Sequence, residues 1–283
     1  MISDVWGAIL VMRSGEAGGS NTLIDSEAAV EAALQKAKNS GFLAKAVTEY
    51  RRVSAWIGNQ IDLNSASILD FGCGEGVPAV SFALRHPKAK VVGADIVATS
   101  LRNVTRSYRS EASLDIPANV TFETLADGRL THTNNFDIIY SWSTFEHIKP
   151  DRIEPVSLQL REALKHDGLL FIQSSPLYFS PTGSHLYRYF SSPWHHLLLP
   201  LDEIRNGIIS ETAGDRELRE WQQFLDLNRL TANQILSKIE NCGLKLKRKQ
   251  LFTSDIQPPT ELLDIYSSDA LITTGFQALF FKE

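Results

Sequence analysis

The 283-residue chain has only two cysteines, so it can build no disulfide framework. Cys73 and Cys242 also lack the spacing of a metal site, and such sparing use of thiols suits a reducing cytoplasm. Basic excess is missing too. A net charge of −5 speaks against general affinity for nucleic acid or an anionic membrane surface. Long apolar runs are absent. The stretch Val5–Met12 is too short to cross a bilayer, and with acidic Asp4 before it and no basic segment it makes a poor secretion signal. No internal repeat stands out. What remains is 43% hydrophobic and 22% charged, the make-up of a globular chain forming one large domain or one domain with elaborations.

Residues 13–22 are flexible in composition and connect the first apolar stretch to the body. Two helical patterns follow, Ser26–Asn39 with Ser26 as its N-cap, and Phe42–Gln60. Compact apolar strands are then expected at Ser67–Phe71, Lys90–Ile96, Val120–Leu125, Phe136–Trp142 and Leu169–Gln173. Helices Val77–Arg85, Thr99–Ser110 and Ile153–Lys165 lie between them. Apolar strands that do not alternate imply a parallel sheet covered on both faces, hence a doubly wound α/β domain. The rhythm breaks at 176–229, which is rich in prolines and aromatics. It resumes with a helix Thr231–Asn241 and strands near Leu244–Phe252 and Leu271–Phe281. The expected division is an N-terminal helical extension (1–60), a core (61–175 and 230–283) and an inserted lid (176–229) after the fifth strand. The basic run Lys245–Lys249 reads as a solvated strand face.

The first strand ends in Asp70-Phe71-Gly72-Cys73-Gly74-Glu75-Gly76, three glycines within five positions. Open α/β sheets bind ligands at this edge, and glycine lets the main chain approach a ligand closely. A dinucleotide fingerprint would need a third glycine at position 77, where Val77 stands. Asp70 would repel a pyrophosphate and suits a positively charged cofactor carrying an amino group. Asp95, ending the second strand, suits ribose hydroxyls in either reading.

Together with Asp95, Asp127 and the run Phe136–His147, this glycine segment resembles the successive motifs of class I S-adenosylmethionine-dependent methyltransferases. The resemblance covers about residues 42–175 and resumes at 225–283. It implies a Rossmann-like, mostly parallel seven-stranded sheet closed by an antiparallel hairpin, and S-adenosyl-L-methionine as cofactor. By that resemblance Gly72 and Gly74 receive the methionine and ribose portion, and Asp70 stands near the cofactor amino group. Asp95 accepts from both ribose hydroxyls, Ile96 lies against the adenine, and Asp127 meets the adenine amino group. Cys73, Ala126 and Ser141 border the same site, Cys73 as a small packing residue with acidic neighbours. A nicotinamide-dependent oxidoreductase and a non-catalytic cofactor-binding module stay open as alternatives.

Two places offer a base for a hydroxyl acceptor. Glu146-His147 follows the fourth strand and resembles the ubiquinone/menaquinone-type branch of the family. His185, His195 and His196 lie in the lid among Tyr187, Arg188, Tyr189, Phe190 and Trp194. Aromatic faces with polar edges suit a small ring-shaped acceptor or a glycan. His185 is the favoured base, because Gly183-Ser184 permits a tight turn before it. The adjacent histidines lack a third ligand at helical spacing, so no metal is expected. His86, His132 and His166 are expected to face solvent.

Overall fold

The computed structural model describes residues 27–210 and 213–282. Val5–Met12, the 13–22 connection and the Ser26 cap lie outside them.

The chain opens with α1 (Glu27–Leu34), α2 (Ser40–Leu43), one π-helical stretch (Ala44–Glu49) and α3 (Tyr50–Ile57). The single helix expected over Phe42–Gln60 is therefore interrupted by a wide turn. Then come β1 (Ser67–Phe71), α4 (Val77–Arg85), β2 (Lys90–Asp95), α5 (Leu101–Ala112), β3 (Val120–Thr124) and β4 (Phe136–Trp142). After them lie α6 (Ile153–Ala163), β5 (Leu164–Ser174), the helices α7 (His195–Leu198), α8 (Leu201–Ile208) and α9 (Asp215–Asp226) of the 176–229 segment, and α10 (Ala232–Glu240). The chain ends with β6 (Leu244–Thr253), α11 (Thr260–Leu263), α12 (Ser268–Ile272) and β7 (Thr273–Lys282). β5 begins five residues earlier than its apolar run, because Leu164 pairs with Phe136 across the sheet.

Seven strands form one sheet in the order β3-β2-β1-β4-β5-β7-β6. The first five are parallel, and β7 runs antiparallel to both β5 and β6. Chain order reverses between β1 and β4, so the carboxyl ends of those strands border the crevice where such sheets bind ligands. The doubly wound architecture expected from the strand pattern is the one observed.

Both sheet faces are covered. On one, α1, the π stretch, α3, α4 and α5 pack around Ile68, Phe82, Tyr108 and Tyr140. On the other, α6 and α10 pack around Leu69, Phe136, Ile139, Leu160 and Ile239. Truncating a large buried side chain here, such as Phe82→Ala, costs about 3–5 kcal/mol.

The N-terminal helices are fastened to α4 by polar contacts. Arg85, buried, pairs with Glu31 at 2.5 Å and lies 4.2 Å over the Tyr50 ring. His86 is buried rather than solvent-facing, because its ring meets the Tyr50 hydroxyl at 3.1 Å and Asn64 at 3.2 Å. His132 is half-buried against Glu123 at 2.8 Å, while His166 is exposed as expected. The Lys245–Lys249 face is mostly exposed, but Arg248 reaches back to stack 4.0 Å over Trp56.

The segment between β5 and α10 has a small apolar centre of its own, built from Tyr178, Leu186, Ile204, Ile208, Phe224 and Leu227. Asn228 fastens its end. The Asn228 amide nitrogen donates to the carbonyls of Phe145 (2.6 Å) and Ile148 (2.9 Å), and its backbone N–H donates to Glu146 (2.8 Å). The segment is thereby tied to the turn that follows β4.

Candidate active site

The glycine turn is shaped by its neighbours. Gly72 has φ +78°, and a Cβ there would lie 2.2 Å from Thr144 Oγ1, so both conformation and packing require glycine. Gly74 has φ +50° and open space where a Cβ would point, which leaves room for a ligand against the main chain. Beyond the turn, α4 starts at Val77 with Pro78 in its first turn. A cavity of about 350 Å³ adjoins this place, lined by Gly74, Glu75, Val97, Thr99 and Asn103 among others. A larger open groove of about 740 Å³ runs along α5 and touches none of the acidic residues discussed here.

Asp95 braces the turn. Its Oδ2 accepts from the Gly74 N–H at 2.8 Å and its Oδ1 from the Val97 N–H at 2.9 Å. Each oxygen keeps a second lone pair for an incoming hydroxyl. Ile96 is 69% exposed, an unusual position for a large apolar side chain unless something covers it. The turn Ala126–Gly128 after β3 faces it, with Gly128 placed so that a Cβ would touch Ile96 at 3.8 Å. Asp127 sits in that turn at φ +54° with its side chain exposed. Cys73 is buried, its sulfur 3.4 Å from Thr99 Oγ1, and burial pushes the thiol far above its usual range. It packs.

Asp70 differs from Asp95. It is 2% exposed, its Oδ2 has no hydrogen-bond partner, and burial raises its carboxyl to about 7. The buried Tyr140 hydroxyl stands beside it on the neighbouring strand and holds the carboxyl down, against the effect of burial. Ser141 follows on the same strand, fully buried, its hydroxyl unpartnered. Such orphaned polar atoms cost free energy unless a ligand completes them.

Across the edge lies the histidine side. Thr144, whose side chain rests on Gly72, accepts the His147 N–H through its carbonyl at 2.9 Å. The rings of His147 and His185 meet edge to face at 5.3 Å, both half-buried. Burial, reinforced by His185, lowers His147 to about 4, and burial lowers His185 as well. His185 Nε2 lies 2.9 Å from the Pro176 carbonyl. A carbonyl only accepts, so Nε2 carries the proton and Nδ1 holds the free lone pair. His185 sits at φ +63°, a strained position for a residue with a Cβ.

The other two histidines of the 176–229 segment bond within that segment. His195 Nδ1 bonds the Ser192 carbonyl at 2.9 Å, and its ring stacks on Phe190 at 4.5 Å. His196 Nε2 bonds the Tyr178 carbonyl at 2.5 Å. Both are buried, and burial lowers both. Trp194 is buried as well, its indole N–H given to the Phe179 carbonyl, so it is not free to receive an acceptor. Glu146 is buried with Oε2 accepting from Ser174 Oγ at 2.6 Å, and desolvation raises it to about 7. It joins the β4 turn to the end of β5.

Sequence reasoning passed over Glu49. It lies at the end of the π stretch, half-buried, and burial together with the negative charge of Asp70 raises its carboxyl to about 8. The signal was present. Ala46, Glu49, Val53 and Ile57 follow helical spacing, and three of the four are apolar and buried.

Residues 68–168 match the family model described as a methyltransferase domain. That match and the likenesses below are consistent with a class I S-adenosylmethionine-dependent methyltransferase. It is 29% identical over 156 residues to a ubiquinone biosynthesis O-methyltransferase of Neisseria meningitidis serogroup C, covering 49% of this chain and 63% of that protein. The chain thus spans somewhat under two thirds of that relative's length. Among solved structures it is similar to the magnesium protoporphyrin IX methyltransferase of Synechocystis PCC 6803, with bound S-adenosylhomocysteine. That match has a TM-score of 0.51 at 13% identity, covering 86% of this chain and 85% of the other. A geranyl diphosphate methyltransferase matches with TM-score 0.53 at 13% identity, covering 83% and 77%. These likenesses establish the fold. The nicotinamide alternative is set aside by the methyltransferase match.

The residues present fit the family's cofactor, S-adenosyl-L-methionine. Asp70 offers a buried carboxylate oxygen without a donor, Gly74 leaves open space, Asp95 keeps lone pairs, and Ile96 presents an uncovered apolar face. Among the described residues no group of three or more His, Cys, Asp or Glu could hold a metal ion. Among the same residues no helix is long and apolar enough to cross a membrane.

Proposed function

We propose that this methyltransferase transfers a methyl group to a hydroxyl oxygen of a small molecule or glycan, with His185 as the base. The observation that carries the proposal is the His147–His185 pair, 5.3 Å apart on the side of the turn where Thr144 closes over Gly72. When bound, the cofactor would supply a methyl group on a cationic sulfur for transfer to the acceptor oxygen. His185 Nδ1 takes the acceptor proton, while its Nε2–H stays on the Pro176 carbonyl and fixes the ring. Of the two imidazoles, His185 is the better base. Its bond to Pro176 offsets part of the effect of burial, whereas the neighbouring charge lowers His147 further. Burial keeps both imidazoles neutral near pH 7, ready to accept a proton. Tyr187, 73% exposed, and exposed Arg188 lie beside the base and would meet a polar ring. The name of the Neisseria relative supports oxygen as the methylated atom.

Cofactor placement follows the acidic side. Asp95 receives the ribose hydroxyls, Ile96 and Ala126 flank the adenine, Asp127 meets its amino group, and Asp70 stands at the amino-acid end. Segment 176–229 acts as the lid that selects the acceptor. The test incubates the protein with methyl-labelled S-adenosylmethionine and a panel of phenols, catechols and sugars. Label on oxygen, at a rate that follows ionisation of a single group near or below pH 6.5, is expected. Label on nitrogen or carbon alone would overturn the assignment to oxygen.

A further inference from the structure

The sheet register gathers a second polar row at the carboxyl edge. Asp70 pairs with Tyr140, Tyr140 with Phe171, and Phe171 with Leu279. Tyr140, Phe171 and Leu279 belong to the core beneath the N-terminal helices. Strand residues two apart lie on one face, so the next row on that face runs Trp142, Gln173, Gln277. Trp142 does pair with Gln173, and Gln173 with Gln277. The row starts at the glycine turn, because Thr144, which rests on Gly72, donates its hydroxyl to the Trp142 carbonyl at 3.2 Å. At its far end Gln250, in register with Gln277 on the edge strand β6, is exposed.

The two central amides are buried and lack opposite things. Gln173 is 7% exposed, and its Oε1 accepts from the Ser143 N–H at 3.2 Å and from Ser143 Oγ at 3.1 Å. A backbone N–H only donates, so that bond fixes the amide with its oxygen on Ser143 and its Nε2 as a donor. Gln277 is 3% exposed, and its Oε1 has no hydrogen-bond partner. Residues directly opposite in an antiparallel pair stand about 4.5–5.5 Å apart at Cβ. The amides are therefore neighbours that do not close on each other, one with a donor to give and one with a buried acceptor unfilled. Such an acceptor costs free energy until something donates to it. An ammonium could only donate between them, and a carboxylate could only accept. A hydroxyl does both.

We propose that Gln173 and Gln277 are specificity-determining residues that bind a second hydroxyl of the acceptor. Gln173 Nε2 donates to that hydroxyl, which donates in turn to Gln277 Oε1. The half-buried Trp142 ring lies between this pair and the cofactor turn. The acceptor is then a ring with at least two hydroxyls, one methylated and one held. The inference rests on transfer to a hydroxyl oxygen and is independent of which histidine is the base. Gln173 also holds the Ser143 turn, whereas Gln277 Oε1 bonds nothing in the protein, so Gln277 is the cleaner position to change.

The test supplies methyl-labelled S-adenosylmethionine to the full chain with phenol, catechol, resorcinol and hydroquinone, which share one ring. Binding of the same four to protein loaded with S-adenosylhomocysteine is measured alongside. Wild type should favour a two-hydroxyl ring over phenol, in kcat/KM or in affinity. Gln277→Met should lower that preference about three- to tenfold, the range for one neutral hydrogen bond. Gln277→Glu keeps an acceptor oxygen and should retain more of it. The Met variant should melt no lower than wild type, since it removes a buried polar atom that nothing satisfies, and its S-adenosylhomocysteine affinity should match wild type. Label on oxygen without any preference in wild type overturns the proposal, as does a preference that Gln277→Met leaves intact. An equal loss for all four rings with a lower melting temperature would make Gln277 a structural residue and overturn it too. Rings that neither bind nor react count against it in the same way. Label on nitrogen or carbon alone removes the reading of the reaction itself, and this proposal with it.

Discussion

The two sides of the site use burial in opposite directions. On the acidic side, desolvation raises Glu49 and Asp70 towards neutrality. On the histidine side it lowers His147 and His185. Both sets are therefore close to uncharged without a ligand, because a low-dielectric setting disfavours whichever form carries charge. What each awaits differs. In the proposed reaction the carboxylates face a cationic cofactor, and the histidines face an acceptor that yields a proton. The supports also differ: Asp70 sits on a strand and Glu49 on the π stretch, whereas His147 follows β4 and His185 lies in the 176–229 segment with its separate small core.

The largest test of this division is His185→Ala. It should lower kcat by about 10²–10⁴-fold, the range for a lost general base, and leave S-adenosylhomocysteine affinity nearly unchanged in calorimetry. High pH should restore much of the rate for an acidic phenol, which ionises unaided, and little for a sugar hydroxyl. Unchanged turnover would move the role to His147 or remove the need for a base.

Asp95→Ala probes the opposite side. Losing hydrogen bonds to a charged acceptor should weaken cofactor binding by about 1.5–3 kcal/mol, with kcat at saturating cofactor much less affected. A pure kcat loss would contradict the separation of the two sides.

Asn228→Ala asks whether the lid is held where the histidines need it. The change strips donors from the Phe145 and Ile148 carbonyls, at about 1–3 kcal/mol for each one left buried and unsatisfied. Urea unfolding should report that loss, and turnover should fall more than cofactor affinity. A stability loss that leaves turnover intact would detach the lid anchor from catalysis.

The smallest effects are in pH. Raised carboxyls mean that the folded protein binds more protons than the unfolded chain above about pH 4. Their contribution is full below the unfolded values and is lost as pH rises through about 7–8. The lowered histidines contribute stability above their unfolded value near 6.5, and it is lost as pH falls towards about 4. Melting of the free protein should therefore decline on the alkaline side in a way that Glu49→Gln reduces and saturating S-adenosylhomocysteine offsets. On the acid side His147→Gln should flatten the loss. Identical melting profiles for wild type and both variants would show that burial at the two sides does not govern these charges.

Local chemistry made the sheet and its cofactor edge legible in the sequence. Compact apolar strands, glycines at positive φ and acids at strand ends are each decided within a few residues. The segment 67–95 therefore announces its strand, its turn and the carboxylate that ends the second strand before any folding is known. Only tertiary structure sorted the histidines. His185, His195 and His196 each give an N–H to a carbonyl of their own segment, yet only His185 also meets His147. That choice depends on where Pro176, Tyr178 and Ser192 place their carbonyls, and no local spacing encodes it. Helical spacing marks Glu49 as inward-facing, but its surroundings were decided only by tertiary structure. Asp70, whose charge acts on it, stands 21 residues further along the chain, and in the π turn that carries it Ser81 and Arg85 of another helix take the Ala46 carbonyl. Sequence fixes propensity residue by residue, whereas burial, and with it the charge each side chain carries, is set by the partners that folding brings together.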